Sequence, residues 1–117
     1  MPVVIDPRFN GPPGSGHGGY SAGCAARLVD GPVAEVTLRR PPPLDVELAV
    51  ARADGTASLL VDGEVVASAR PASLELSGPP AVGVEEAAAA AARFAWMHDH
   101  PFPTCFGCGP ARDPADA

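Results

Sequence analysis

Two clusters in this chain hold residue types that can do chemistry. The first is His17-Gly18-Gly19-Tyr20-Ser21, which runs on through Ala22-Gly23-Cys24-Ala25-Ala26-Arg27. A glycine-rich turn followed by small residues predicts a tight entry into a helix. A helix start leaves backbone N–H groups without intrahelical partners, and the aligned peptide dipoles add partial positive charge there. Paired glycines let an oxygen come close to those donors. Donors at such a place suit a carbonyl oxygen that becomes negative during acyl transfer. Gly18 and Gly19 are the candidate donors, unless they are glycine only so that helix and sheet can pack closely. His17 is a candidate general base or a group that orients a carbonyl; its plainer roles are helix cap or solvated side chain. Tyr20 and Ser21 are candidate substrate-binding hydroxyls, with interface packing the plainer role for Tyr20. Cys24 becomes a nucleophile only if a base adjoins it; among alanines it reads as a small buried hydrophobe.

The second cluster is Cys105-x-x-Cys108, with His98 and His100 just upstream. A C-x-x-C knuckle is half of a zinc site, and the two histidines are weak candidates to complete it at an unfamiliar spacing. A redox pair is the less favoured alternative, because no thioredoxin-like βαβ pattern surrounds it. A third motif is rejected. Gly11-Pro12-Pro13-Gly14-Ser15-Gly16-His17-Gly18 nearly matches a phosphate-binding loop, but its lysine is His17 and its hydroxyl is Gly18. Both charge-handling groups are missing, and residues 34–70 leave no room for a crossover helix between parallel strands.

The elements that must position the first cluster follow from periodicity. Val3-Val4-Ile5 predicts a short first strand. Residues 11–19 are a glycine- and proline-rich loop. Tyr20 to Val29 predicts a helix, closed by Asp30-Gly31-Pro32. Four strands then follow by period-2 alternation: around Ala34 to Arg39, Leu44 to Val50, Ala57 to Val61, and Glu64 to Arg70. Asp54-Gly55 and Asp62-Gly63 mark hairpin turns between them. Pro41-Pro42-Pro43 cannot lie inside a central strand and predicts a corner between the second and third strands. After a linker at 77–83, the alanine-rich stretch from Glu85 to Met97 predicts a second helix. One helix against one face of an antiparallel sheet is an α+β layer architecture.

Composition sets the outer bounds. A chain of 117 residues is one domain at most. Net charge is −6, with 14 acidic and 8 basic residues, which argues against a nucleic-acid backbone as partner. No apolar run approaches a bilayer span, so no membrane partner is expected. No signal peptide is visible, and three cysteines do not suggest a disulfide framework. These readings point to a cytoplasmic protein. Arginine without any lysine, in a chain rich in Ala, Gly and Pro, fits a GC-rich, bacterial genome.

Over about residues 8–76 the chain resembles the hotdog-fold acyl-CoA thioesterases. The resemblance rests on HGGY at the helix start, VTLRRPPPLDVELAV as strand–corner–strand, and the double hairpin ADGTASLLVDGEVVASA. It implies a curved antiparallel sheet wrapped around a central helix over residues 1–76, then a linker and extra C-terminal helix over 77–100. In the phenylacetate-pathway type, the HGG turn opens the central helix and a glycine N–H there holds the thioester oxygen. Carried over, these are His17, Gly18 and Gly19. The tail, 101–117, with Cys105-Phe106-Gly107-Cys108-Gly109-Pro110, resembles the segment that opens many such domains, so the chain resembles the N-terminal half of a tandem double-hotdog protein. The implied activity is hydrolysis or binding of acyl-CoA or a related carrier thioester, with no cofactor, in a homodimer or with a second hotdog half. One departure bears on activity: the family carries a carboxylate further along the central helix, where this chain has Cys24-Ala25-Ala26-Arg27. The alternative is therefore a non-catalytic hotdog half that completes a catalytic partner.

Overall fold

The computed structural model of the chain describes residues 1–116. Strand β1 (Val3–Val4) comes first, then a 3-10 turn (Pro7–Phe9), helix α1 (Gly18–Ala26), and strands β2 (Ala34–Leu38), β3 (Glu47–Ala53), β4 (Thr56–Val61) and β5 (Glu64–Pro71). Helix α2 (Val84–Arg93) and two further 3-10 turns complete the chain. The five strands form one curled antiparallel sheet in the order β1-β3-β4-β5-β2. All four pairings are antiparallel. The architecture is mixed α+β.

The two Asp-Gly turns form where expected, between β3 and β4 and between β4 and β5. Asp54 and Gly55 have φ of 50° and 78°, and Asp62 and Gly63 have 51° and 77°. Positive φ at both central residues is the turn whose twist matches that of paired strands, and Asp-Gly tolerates it best.

The third strand departs from the alternation. Its ladder begins at Glu47, not Leu44. Asp45 sits at φ 56° and donates its N–H to Ile5 O at 2.9 Å. That left-handed residue breaks the two-residue period, so Val46 is exposed while Leu48 is fully buried. The polyproline segment is a bend, but the strands on either side of it are not neighbours. β2 lies at one edge beside β5, so residues 39–46 carry the chain across the sheet to β3.

Helix α1 begins two residues before Tyr20 and ends three before Val29. Beyond Ala26 the bonding tightens: Leu28 donates to Ala25 O at 3.0 Å and Val29 to Ala26 O at 3.3 Å. These shorter-spaced bonds satisfy the last carbonyls without continuing the helix. α1 packs on β2, β4 and β5. Small side chains permit this close approach: a Cβ on Gly18 would stand 3.3 Å from Leu38 Cδ1, and Ala25 is wholly buried. The core beneath it is Ile5, Leu48, Leu59, Val66, Ala67 and Ala69. Val66 and Ala67 are both buried because the β4–β5 register shifts at Leu59/Leu60. Such a bulge turns an additional residue inward, and the Val66 carbonyl accepts the N–H of Arg39 at 2.7 Å.

The second helix stops at Arg93, and Ala95–Met97 form a separate 3-10 turn, shorter than the single helix expected over 85–97. Every residue of α2 is exposed. No helix among the described residues is long and apolar enough to cross a membrane.

Candidate functional site

The entry to α1 is built by its own cap. His17 is extended (φ −60°, ψ 128°), and its Nδ1 accepts the N–H of Tyr20 at 3.2 Å. The Ser21 N–H closes the first helical bond to His17 O at 2.9 Å. The first-turn donors then divide in two. Tyr20 N–H is taken by the imidazole, while the N–H groups of Gly18 and Gly19 donate to no acceptor among the described residues. Gly19 is exposed and Gly18 half-buried.

The loop before the helix is fixed on both sides. Gly16 N–H donates to Pro42 O at 2.8 Å, and His17 N–H to Phe9 O at 2.7 Å. The proline bend thus holds the glycine loop, which places His17 at the helix start.

This capping geometry decides the chemistry open to His17. In a neutral imidazole one nitrogen accepts and the other carries the proton. Since Nδ1 accepts, Nε2 carries the proton and is a donor. To act as a base through Nε2 the ring would adopt the other tautomer and give up its cap. With the cap kept, the chemistry left to His17 is donation from Nε2–H and not abstraction of a proton.

Tyr20 stacks on Phe9, ring centroids 3.8 Å apart and 10° from parallel. Burial, followed by the charge of Cys24, pushes the Tyr20 hydroxyl above its ordinary pKa. Ser21 lies on the inner side of the helix, 1% exposed, its Oγ without a hydrogen-bond partner among the described residues. A Cβ on Gly16 would lie 2.8 Å from that oxygen, so the hydroxyl sits beneath the loop. Cys24 is half-buried. Burial pushes its thiol up, with the Tyr20 hydroxyl and the Arg27 charge acting the other way. A thiol held protonated is a poor nucleophile, which suits the packing role. A cleft of about 360 Å³ runs along this flank of α1, lined by Val3, Val4, Tyr20, Cys24, Arg27 and Leu28.

The tail folds back onto the same turn, which local sequence pattern did not reveal. Phe106 N–H donates to Asn10 O at 2.8 Å, and Asn10 Nδ2 to Thr104 O at 3.1 Å. Arg112 Nη1 donates to Asn10 Oδ1 at 2.8 Å, and its Nη2 donates to Arg8 O. The Phe106 ring meets Phe9 edge-on at 4.9 Å and stands 5.9 Å from the His17 ring. Gly107 lies directly against His17 Nε2, where a Cβ would overlap that atom.

Of the four weak metal candidates, the two cysteines come together, with Cys108 Sγ donating to Cys105 Sγ at 3.0 Å. The histidines do not join them. His98 Nε2 meets Ala92 O, and His100 Nδ1 accepts the Phe102 N–H. No group of three or more His, Cys, Asp or Glu among the described residues is arranged to hold a metal ion.

Comparison with protein-family models, with curated proteins and with solved structures finds no match to this chain.

Proposed function

We propose that the chain is a hotdog-fold, thioesterase-like protein that takes acyl-CoA or a related acyl thioester at the start of α1. One observation carries the reading: the N–H groups of Gly18 and Gly19 lack acceptors at the head of a helix that packs on a curled antiparallel sheet. A thioester oxygen placed there receives two backbone hydrogen bonds and the positive end of the helix dipole. His17 Nε2–H adds a third donor once Gly107 moves off it. The cleft along Tyr20 and Cys24 offers apolar surface to the acyl portion. Water attacks the carbonyl carbon, the carbon–sulfur bond breaks, and the thiol leaves with a proton.

The test incubates the purified chain with a panel of acyl-CoAs and a thiol reagent, against a blank that accounts for the protein's own cysteines. Thiol release above the blank supports hydrolysis. No release for any acyl-CoA, together with no binding by calorimetry, overturns the reading.

A second reading has its own support. Helix α1, GGYSAGCAA, holds no carboxylate to activate water. A chain that binds acyl-CoA without hydrolysing it, and gains hydrolysis when mixed with a second hotdog unit, is a non-catalytic half. Reading the bases that follow the Ala117 codon shows whether such a unit is encoded in frame.

A further inference from the structure

We propose that Cys105 and Cys108 form a redox-active dithiol, oxidised by a low-molecular-weight disulfide to an intrachain disulfide that locks Phe106 and Gly107 over His17.

The two sulfurs already lie 3.0 Å apart, about 1 Å more than a disulfide bond requires. The turn that presents them is well held. Cys105 N–H donates to Phe102 O at 3.0 Å, Gly109 N–H to Cys105 O at 2.9 Å, and Ala111 N–H to Pro103 O at 2.9 Å. Gly109 must be glycine, because a Cβ there would strike Pro103 O and the Cys105 backbone. The pair is also asymmetric: the exposed Cys108 meets an external disulfide first, and its hydrogen bond to Cys105 holds its thiol above its ordinary pKa. Cys105 is buried and Cys108 exposed. Burial raises the Cys105 thiol, but the hydrogen bond from Cys108, the N–H groups of Cys108 and Gly107, and the Arg112 charge outweigh it and leave Cys105 below its ordinary pKa. With the histidines turned elsewhere, the pair has no third ligand for a metal among the described residues.

The exchange balances as follows. Cys108 Sγ, giving its proton to solvent, attacks one sulfur of the disulfide RSSR. A Cys108–S–S–R bond forms and RS⁻ leaves. Cys105 Sγ then attacks Cys108 Sγ, the bond to the second RS breaks, and its thiolate departs. Two protein thiols are oxidised, one external disulfide is reduced, and both protons end, through solvent, on the released thiols. The consequence is local. The cysteines bracket Phe106 and Gly107, the two residues that cover His17. Closing the ring removes backbone freedom from that cover, whatever ligand the glycine turn takes.

The experiment uses the full reduced chain with oxidised glutathione as the probe. Titratable thiols under denaturing conditions should fall from three to one, with peptide mapping joining Cys105 to Cys108 and leaving Cys24 free. Cys108→Ser, an exposed change that leaves the fold intact, should abolish the loss. Carbethoxylation of His17, read by peptide mapping, should slow in the oxidised chain and recover on reduction. Three thiols remaining, a stable glutathione adduct on Cys108, or a bond to Cys24 would each overturn the dithiol. An intrachain disulfide that leaves His17 reactivity unchanged would overturn the lock. Neither readout uses thioester turnover, so failure of the acyl-CoA assay leaves this proposal standing.

Discussion

Gly107 rests on the imidazole of His17, so closely that a Cβ would overlap Nε2. The tail therefore reaches the candidate site through a glycine with an ordinary backbone conformation, fixed as glycine by the ring it covers. Gly107→Ala should force the 105–108 turn away from His17 and cost about 1–3 kcal/mol, the usual range for overpacking. Gly23 is the control, since a Cβ there meets nothing within 4 Å. Gly23→Ala should leave the protein as stable, or stabilise it by about 0.5–1 kcal/mol. Urea denaturation of the two variants checks both, and equal stability would refute the overlap.

His17 has a capping role and a candidate chemical role, and these are separable. Losing the Nδ1 acceptor in His17→Ala should cost about 1 kcal/mol, the typical worth of an N-cap. His17→Asn restores a side-chain acceptor at the same position, so its thermal midpoint should return toward the parent. Any thioester turnover should stay low in both variants. Recovery of turnover in the asparagine variant would reduce His17 to a cap.

Arg112 ties the tail to the first loop, with bonds to Asn10 Oδ1, Thr104 O and Arg8 O. Arg112→Ala should speed hydrogen exchange across residues 101–116 and leave β3, β4 and β5 protected. Arg112→Lys should not restore protection, because an ammonium lacks the planar fork that serves several acceptors at once. Unchanged exchange in the tail would show that packing of Phe106 alone holds it.

What sequence pattern revealed and what it did not divide along the range of the interaction. The Asp54-Gly55 and Asp62-Gly63 turns were legible because a local φ requirement selects those residues. Ala57 and Leu59 face the core as alternation requires. Leu44 still packs against the core, but alternation failed at Val46 because Asp45, bonded to the distant Ile5 carbonyl, inverts the backbone between them. The helix start was placed late because glycine has poor helix propensity, whereas the cap at His17 decides it. In the candidate site, His17 and the two glycines were legible as a helix-entry motif. Their cover by Phe106 and Gly107 was not, because Asn10 and Arg112 make it across nearly the whole chain. Ser21 read as a ligand-binding hydroxyl by its position in the motif, and helical geometry turns it inward beneath Gly16.

The thiol of Cys24 and the hydroxyl of Tyr20 make alkaline stability a test of this packing. Both titrate above their ordinary values of 9.0 and 10.0, chiefly through burial. Between the ordinary and the raised pKa the folded chain holds more protons than the unfolded one, so stability falls as pH rises. The contribution is fully present below pH 9.0, the ordinary thiol value, and is lost as pH climbs through the raised one. Urea midpoints measured from neutral to alkaline pH should decline more steeply for the parent than for Cys24→Ala. Parallel declines would place Cys24 in a solvated setting.

The oxyanion reading can be tested without touching a side chain that does anything else. Gly18 is the first residue of α1 and follows His17 in an extended conformation. Proline is favoured at that helix position, and an extended residue is what proline requires before it. Gly18→Pro therefore removes one N–H and keeps the helix. Its ring must share space with Leu38 Cδ1, 3.3 Å from the Cβ position, and that methyl ends a flexible, exposed side chain that can yield. If the N–H stabilises a developing oxyanion, thioester turnover should drop roughly 10²–10³-fold, the usual loss for one such donor. Helical circular dichroism and the thermal midpoint should stay close to the parent. Full turnover in a folded Gly18→Pro chain would move the oxyanion away from this donor.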